Sequence, residues 1–526
     1  MLKANYYTEP SELDTLVFEK LVPPDHYLRQ VKQVIDFEAL REKVRDCYSA
    51  EMGRAAEDPV ILIKLEFLQF QYNLSDREVI AEAQVNVAYR YFLDLSLDSE
   101  LPVPSLLSQF RTRLGEARHQ ALFDEVVAQA RAHGLVKDRL RLKDATHVIA
   151  NIAIPSTIQL VAQVRQKLLE SARPYAAQRV AEAEGEVVRI RQATADLKDS
   201  ERLVQRVAHL RRIVAWADEV QRRLGPAPAD AEPTRQRFEE ALSLAHQVLA
   251  DQDRPPSKKK KKGEKRDRLL SVVDPEARQG KHGNYYNGYQ LDISLDPASE
   301  LLTTVNVLPG NGDEAADAET LIQTEEMAHH NDIQELSMDG IGFRGHLLRT
   351  LSDPMGLQLT VYVPPAPLTN SGPYFTPDDF QLEEGGTCLR CPAEEETRQR
   401  YRNKDDNSWL FLFRRSQCTT CRLMGRCMER LPQQGRSVTK NDYEAEYKAA
   451  RQRAETERYR QVRREHPKVE RKLAEIVRYH GGRYARYRRL ARVTIQYLLT
   501  GMVVNIKRIV KLLRTRGQLQ PASQPV

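Results

Sequence analysis

Hydrophobic and polar residues alternate in separate segments of the chain, which predicts strands that bury one face. Residues 139–152 (RLRLKDATHVIANI) form an extended run of this kind. Residues 289–307 alternate on both sides of the turn residues 296–299 (DPAS), which predicts a β-hairpin. A helical stretch is predicted over residues 317–330.

Two further short strands are predicted over residues 335–343 (ELSMDGIGF) and 357–363 (LQLTVYV), and a helix that begins at His466-Pro467 follows much later. The predicted order is therefore strand, hairpin, helix, strand, strand, helix. This order is the plan of the ribonuclease-H-like fold. We therefore predict an α/β (α+β) protein with a mixed-sheet core.

Three acidic residues fall on these elements: Asp144 on the first strand, Asp339 on the fourth and Glu470 on the later helix. The ribonuclease-H-like plan brings these three positions together. Mg²⁺ and Mn²⁺ prefer hard oxygen ligands, and two such ions roughly 3.5–4 Å apart promote phosphodiester chemistry. We therefore predict that the three carboxylates are catalytic residues that bind two Mg²⁺ or Mn²⁺ ions.

Helical geometry favours Glu470 over its acidic neighbours. Glu470 shares a predicted stripe with the apolar residues Val469, Leu473, Ile476 and Val477. Glu475 falls on the polar face, and Glu465 precedes the predicted start of the helix. Because a carboxylate on a buried stripe is costly unless it is paired or binds a metal, Glu470 is the better candidate.

The chain resembles a DDE transposase of a bacterial insertion sequence. Residues 20–115 resemble the helical domain that precedes the catalytic core in such transposases. The resemblance implies an enzyme that binds the ends of its element, cleaves DNA and joins the 3′-hydroxyl to target DNA, as a homodimer on double-stranded DNA. The core segments that carry it are LKDATHVIAN, GNYYNGYQLDISLDPASELL, VLPGNGDEAADAETLI, LSMDGIGFRG and HPKVERKLAEIVRYHGGRYARYRRLARVTIQYLLTGMVVNIKRIVKLL.

Some relatives carry Tyr, Arg and Lys at seven residues before, four before and seven after the glutamate. This chain has Arg463, His466 and Val477 there. Two rival functions stay open: a metal-dependent nuclease without strand transfer, and a non-catalytic DNA-binding protein derived from a transposase.

The composition agrees with a globular protein of about two to four domains, since 41% of the 526 residues are hydrophobic and 29% are charged. No apolar run approaches the ~20 residues that span a bilayer, so no membrane partner is expected. The N-terminus lacks the basic-then-apolar layout of a signal peptide. We therefore expect a cytoplasmic, nucleoid-associated protein.

The net charge is only +6, but the basic residues are concentrated in residues 258–262, 451–478 and 483–516, the last with interleaved tyrosines. Such segments bind phosphates through counterion release, although a solvated helix face or a lysine-rich linker has the same composition. The candidate DNA-contacting residues are Arg77, Arg90, Lys258, Lys259, Lys260, Arg471, Lys472 and Arg478.

Helical spacing dominates the N-terminal region, which is compatible with a helix-turn-helix or with a dimerising bundle. Residues 155–270 form a helical insertion that would brace a dimer or clamp DNA. The predicted divisions are residues 1–125 (helical DNA-binding or dimerisation domain), 135–154 with 271–365 (first part of the core), 155–270 (insertion and lysine linker), 366–438 (Cys-rich insertion), 439–516 (helical part of the core) and 517–526 (disordered tail).

Five of the six cysteines are clustered in the later part of the chain, where they form two C-x2-C pairs and a single residue: Cys388, Cys391, Cys418, Cys421 and Cys427. In a protein without an export signal, such pairs favour a structural Zn²⁺ site over disulfides. Cys427 is a spare or substitute ligand in this prediction. Trp409, in the same region, is interpreted as a core residue in preference to a base-stacking one.

Overall fold

The fold is described from a computed structural model. It describes residues 6, 10–49, 55–225, 231–253, 267–367, 373–383, 385–403 and 407–519. Lys258, Lys259 and Lys260 lie outside this set, as do residues 520–526 of the tail predicted over residues 517–526. No helix in the described ranges is long and apolar enough to cross a membrane.

The central sheet is mixed, and its order matches the plan predicted from the sequence. Strand β3 lies between β1 and the edge strands β2 and β4, and β1 continues to β5 and β6. The β1–β3 and β3–β4 pairs are antiparallel, whereas β1–β5 and β5–β6 are parallel. The sheet strands are β1 (Leu140–Ile149), β2 (Arg278–His282), β3 (Asn284–Asp296), β4 (Leu301–Pro309), β5 (Glu335–Ser337) and β6 (Thr360–Tyr362).

Two small three-stranded sheets follow the central sheet in the Cys-rich region. Each is antiparallel, and most of their strands are only two to five residues long. Their strands are β7 (Gln381–Leu382), β8 (Leu389–Arg390), β9 (Glu396–Thr397), β10 (Arg400–Asn403), β11 (Ser408–Leu412) and β12 (Ser437–Asn441).

Helices form the N-terminal region, the insertion and the C-terminal region. The N-terminal helices are α1 (Glu12–Leu21), α2 (Tyr27–Val34), α3 (Phe37–Val44), α4 (Pro59–Gln71), α5 (Asp76–Val85), α6 (Val87–Leu93) and α7 (Pro104–Ala132). The insertion contains α8 (Thr157–Ala193), α9 (Asp199–Arg223) and α10 (Glu232–Asp253). The later helices are α11 (Asp317–His329), α12 (Gly345–Ser352), α13 (Arg415–Thr419), α14 (Met424–Cys427), α15 (Glu444–Ala454), α16 (Glu457–Glu465), α17 (Pro467–Tyr479) and α18 (Leu490–Thr515).

Several predicted bounds differ from the structure. The strand predicted over residues 335–343 ends at Ser337, because Asp339 instead caps a short 3-10 turn, Gly340–Gly342. The described part of the insertion holds three helices. A capping box begins α5, since the Ser75 hydroxyl accepts from the Glu78 N–H and the Glu78 carboxylate accepts from the Ser75 N–H.

One cluster of buried apolar residues connects the N-terminal helices to the central sheet. It includes Phe67 of α4, Phe123 of α7, Leu142 of β1 and Val503 of α18, all at most 2% exposed. Helix α18 contacts both α7 and β4. The insertion has its own apolar cluster, which α8, α9 and α10 build around Phe238.

Buried ion pairs fix the face of β1 that is turned towards α11. Arg141 is 0% exposed, and its guanidinium binds the equally buried carboxylate of Glu325 through Nη2–Oε1 (2.5 Å) and Nε–Oε2 (2.9 Å). Lys143, two residues further along β1, binds Asp292 of β3 at 2.9 Å. Because unpaired buried charges are very costly, these pairs specify which residues of β1 face α11.

Replacing Glu325→Ala should lower the free energy of unfolding by about 3–5 kcal/mol, because it leaves the Arg141 charge buried without its main partner. Urea denaturation of the purified protein measures this. The matched control is Gln323→Ala, at an exposed position of α11, which should change the value by no more than about 0.5 kcal/mol. Equal effects of the two substitutions would contradict the role given to the ion pair.

Candidate active site

Strand register brings Asp144 and Asp339 to the same level of the sheet. The parallel β1–β5 pair aligns Leu142 with Ser337, and each acidic residue follows its aligned residue by two positions. Side chains two positions apart point to the same face of a strand, and neighbouring strands lie about 4.8 Å apart. Asp144 is partly exposed within β1, and Asp339 is exposed just beyond the carboxyl end of β5.

Side-chain contacts hold the residues just before the Glu470 helix against the end of β5. His466 Nδ1 lies 3.1 Å from Ser337 Oγ, and Arg463 Nη1 donates to the Met338 carbonyl at 2.9 Å. Burial and the neighbouring Arg463 guanidinium lower the pKa of His466 to about 4, so the ring is neutral near pH 7. Glu470 follows His466 by one helical turn, about 6 Å, and Asp339 follows Ser337 by about 6.6 Å along the chain.

Glu470 lies at the solvent edge of α17, so the prediction that it shares the buried stripe is wrong. The buried residues of α17 are Val469, Lys472, Leu473 and Ile476. Glu470 is exposed within the first turn of the helix. An exposed carboxylate beside two strand-borne carboxylates remains accessible to an ion and to a phosphate.

The electrostatics of Asp144 show that the three acidic residues interact. The pKa of Asp144 is raised to about 7, mainly by burial and also by the charges of Asp339 and Glu470, while the Ala145 N–H and Lys143 act in the opposite direction. Within the described part of the chain, none of the three carboxylates forms a salt bridge. The site therefore combines hard oxygen donors with uncompensated negative charge, which fits a divalent cation.

The backbone holds two of the carboxylates. Asp144 Oδ1 accepts from the Ala145 N–H at 2.8 Å, and Asp339 Oδ1 accepts from the Ile341 N–H at 3.2 Å. Each bond restrains one carboxylate oxygen and leaves the group ionisable.

Sequence reasoning missed the residues that position the site. Arg463 and His466 were noted only as departures from relatives, and Arg483 was not singled out. Arg483 Nη1 donates to the His147 carbonyl at 2.5 Å, and its own carbonyl accepts from the Ile149 N–H. Arg483 therefore joins the segment after α17 to β1. The sequence does not distinguish Arg483 from the other basic residues of the run 483–516.

Two of the candidate DNA-contacting residues are buried and are not available to DNA. Arg90 is 3% exposed and donates to the carbonyls of Ser96 and Ser99. Lys472 is 5% exposed and binds Glu475 at 2.9 Å. Burial acts to raise the pKa of Glu475, but the charges and hydrogen bonds of Lys472 and Lys507 lower this pKa to about 2.

The other described candidates are exposed. Arg471 and Arg478 lie on the solvent side of α17, close in sequence to Glu470. Arg77 lines an open groove between α5 and the segment after α17, to which Tyr484 and Arg486 also contribute. The basic run of residues 483–516 contains Tyr484, Tyr487 and Tyr497. Tyr484 is 63% exposed, whereas Tyr497 is buried.

Four of the five clustered cysteines line one small cavity, and the fifth lies elsewhere. The cavity holds about 30 Å³ and is lined by Cys391, Cys418, Cys421 and Cys427. Cys388 instead groups with Glu383 and Glu396, and their potential ligand atoms lie within 4.8 Å of one another. Arg390 binds both of these carboxylates, at 3.1 and 2.6 Å, which makes this group an ion-pair cluster.

The fold is a mixed α/β one, with a helical N-terminal region and a mixed central sheet, and it is consistent with a transposase fold. Two family models match the chain. Residues 16–113 match "Transposase domain (DUF772)", and residues 390–510 match "Transposase DDE domain". These matches support a DDE transposase of an insertion sequence. No curated protein and no solved structure matches the chain.

Glu470 lies within the second match, whereas Asp144 and Asp339 lie between the two matched ranges. The grouping of Asp144 and Asp339 with Glu470 therefore depends on strand register and electrostatics. Their role as metal ligands stays a prediction.

Replacing Asp144→Asn should stabilise the metal-free protein at pH 8 but not at pH 4. The folded-state pKa of about 7 lies above the usual 3.8, so wild-type stability falls as the pH rises through this window. A shift of about three units corresponds to about 4 kcal/mol, and we expect about half of that because the side chain is partly exposed.

Urea denaturation with EDTA at both pH values measures this difference. Asp332→Asn, at an exposed position before β5, is the control and should show no pH-dependent gain. A gain for Asp144→Asn that is the same at pH 4 and pH 8 would show that ionisation is not its cause.

Proposed function

We propose that this chain is a DNA transposase that binds insertion-sequence ends, cleaves DNA and transfers the freed strand to target DNA with Asp144, Asp339 and Glu470 as ligands of two divalent cations. The observation that carries the proposal is that Asp144 and Asp339 occupy matching positions along the parallel β1–β5 pair and that the charges of Asp339 and Glu470 both act on Asp144. The two transposase-domain matches support the same assignment.

Bound Mg²⁺ or Mn²⁺ ions would activate water or a 3′-hydroxyl and stabilise the leaving oxygen of the phosphodiester. The chain's own contribution is to hold the ligands in place before DNA arrives. Asp144 is fixed by a central strand, Asp339 by a capped turn and Glu470 by a helix that His466 and Arg463 attach to β5. Such preorganisation lowers the cost of reaching the reactive geometry.

The DNA would approach along the exposed face of α17. Arg471 and Arg478 carry uncompensated positive charge beside Glu470, and phosphate neutralisation by such residues releases counterions. Arg77 and Tyr484 in the groove between α5 and the segment after α17 offer a second contact. We propose double-stranded DNA, both element ends and target, as the partner.

A homodimer on DNA is part of the proposal, because two element ends must be held together for strand transfer. The helices α8, α9 and α10 remain candidates for bracing such a dimer or clamping DNA. Nucleoid association in the cytoplasm stays a prediction of the same assignment.

Asp339→Asn should reduce DNA cleavage and joining by at least about 100-fold, because a metal ligand contributes several kcal/mol and each factor of ten corresponds to about 1.4 kcal/mol. The assay combines purified protein, Mg²⁺ or Mn²⁺, labelled DNA with the element's own ends and a target plasmid. Asp332→Asn is the matched acidic control and should retain wild-type activity.

Joined products that disappear in Asp339→Asn would support strand transfer and the ligand assignment together. Cleavage without joining in the wild type would favour the nuclease. Tight DNA binding without either reaction in both metals would favour the non-catalytic protein.

The double substitution Arg471→Ala with Arg478→Ala should weaken DNA binding and reduce the slope of log affinity against log salt by about 1.8, which is about 0.9 per lost phosphate contact. Fluorescence anisotropy across a salt series measures the slope. Lys472→Met is the matched control: it should leave the slope unchanged, because Lys472 is buried against Glu475. An unchanged slope in the double variant would remove α17 from the DNA interface.

A further inference from the structure

The Cys-rich module formed by residues 373–441 has little apolar core of its own. Its buried apolar cluster contains Phe380, Leu389, Phe411, Phe413 and Val438, and its strands are two to five residues long. Domains this small usually need a disulfide or a metal to complete their stability. The cysteines are free, so no disulfide supplies it among the described residues.

Cysteine side chains border this apolar cluster from two separate segments. Cys391 follows β8, whereas Cys418 and Cys427 lie on α13 and α14, and all three pack against the buried residues. With Cys421 they line the cavity of about 30 Å³, which has room for one ion or water molecule. A ligand bound there would join the β8–β9 hairpin to the α13–α14 segment.

Backbone N–H groups are directed at two of these sulfur atoms. Cys421 Sγ accepts from the Leu423 N–H at 3.4 Å; burial raises the pKa of Cys391, while the N–H groups of Ala393 and Glu395 act to lower it. For both cysteines, one of these N–H groups belongs to the residue two positions later in the chain, Leu423 or Ala393. Such bonds orient a sulfur ligand and favour its anionic form, as hydrogen bonds around a metal site do.

Positive charge is also present at the cavity. Arg436 lines it together with the four cysteines; burial raises the pKa of Cys427, and the Arg436 guanidinium acts in the opposite direction. Four thiolates around a divalent cation carry a net negative charge, so a nearby guanidinium would offset part of it.

We propose that Cys391, Cys418, Cys421 and Cys427 form a structural tetrathiolate Zn²⁺ site and that Cys388 is not a ligand. Thiolates select zinc over the hard cations that suit the carboxylates of the candidate active site. Because zinc–sulfur bonds of about 2.3 Å place the four sulfurs about 3.8 Å apart, binding would draw them together and close the cavity. This site is independent of the proposed strand-transfer function.

The position of the module gives the site a role in the fold. Asp378 binds Arg451 of α15 at 3.2 Å, and β12 leads directly into α15. Helices α15 and α16 then lead to α17, which carries Glu470. Zinc would therefore stabilise the module that precedes the third acidic residue in the chain.

The test is the zinc content of the full-length protein, purified without chelator and measured by inductively coupled plasma mass spectrometry. We expect one zinc per chain in the wild type. Cys418→Ser and Cys421→Ser should each lose most of it, whereas Cys388→Ser, the matched control, should keep it. A zinc-free wild type, or loss of zinc in Cys388→Ser equal to that in Cys418→Ser, would overturn the proposal.

A second measurement avoids variants that fail to fold. X-ray absorption at the zinc edge of the wild-type protein should show four sulfur neighbours at about 2.3 Å. Mainly oxygen neighbours would overturn the tetrathiolate site: with one sulfur they would assign the metal to Glu383, Cys388 and Glu396, and with none to the three carboxylates of the candidate active site.

Discussion

The parallel pairing of β1 with β5 is the constraint on which the candidate site depends. Its register aligns Leu142 with Ser337 and so carries Asp144 and Asp339 to the same edge of the sheet. Ser337 of β5 and Met338, the residue after it, also contact His466 and Arg463, which precede the helix that carries Glu470. A shift of the pairing by one residue would turn one acidic side chain to the other face and break the helix contacts as well.

Buried charges on the opposite face of β1 oppose such a shift. Arg141 and Lys143 alternate with Leu142 and Asp144, and each binds a fully buried carboxylate, Glu325 and Asp292 respectively. Turning Arg141 or Lys143 to the apolar face of β1 would leave that residue and its carboxylate partner buried without each other, which costs several kcal/mol. The ionic face therefore holds the register that the acidic residues need, and the Lys143 charge offsets part of the rise in the pKa of Asp144 that burial, Asp339 and Glu470 cause.

Period-two alternation was enough to predict β1, the β3–β4 hairpin and the order of the core, because these strands have one face against the apolar cluster. The alternation did not predict where β5 ends, because Asp339 lies beyond the strand and caps a 3-10 turn.

Helical periodicity correctly predicted the helix that carries Glu470, but it wrongly predicted that Glu470 lies on the buried stripe of that helix. Lys472 occupies the buried position, since its pairing with Glu475 makes burial tolerable. Arg90 was mistaken for a surface residue for a related reason: its carbonyl partners come from the loop after α6, which composition does not reveal.

The departures of this chain from its relatives have a structural explanation. Seven and four residues before Glu470, Arg463 and His466 face β5 and are engaged with its backbone and with Ser337. A residue that holds a helix against a strand in this way is not free to contact a phosphate, so these positions serve the geometry of the acidic site here. Helix α17 has two different faces: Val469, Leu473 and Ile476 are buried in the core, whereas Arg471 and Arg478 are exposed on the outward side.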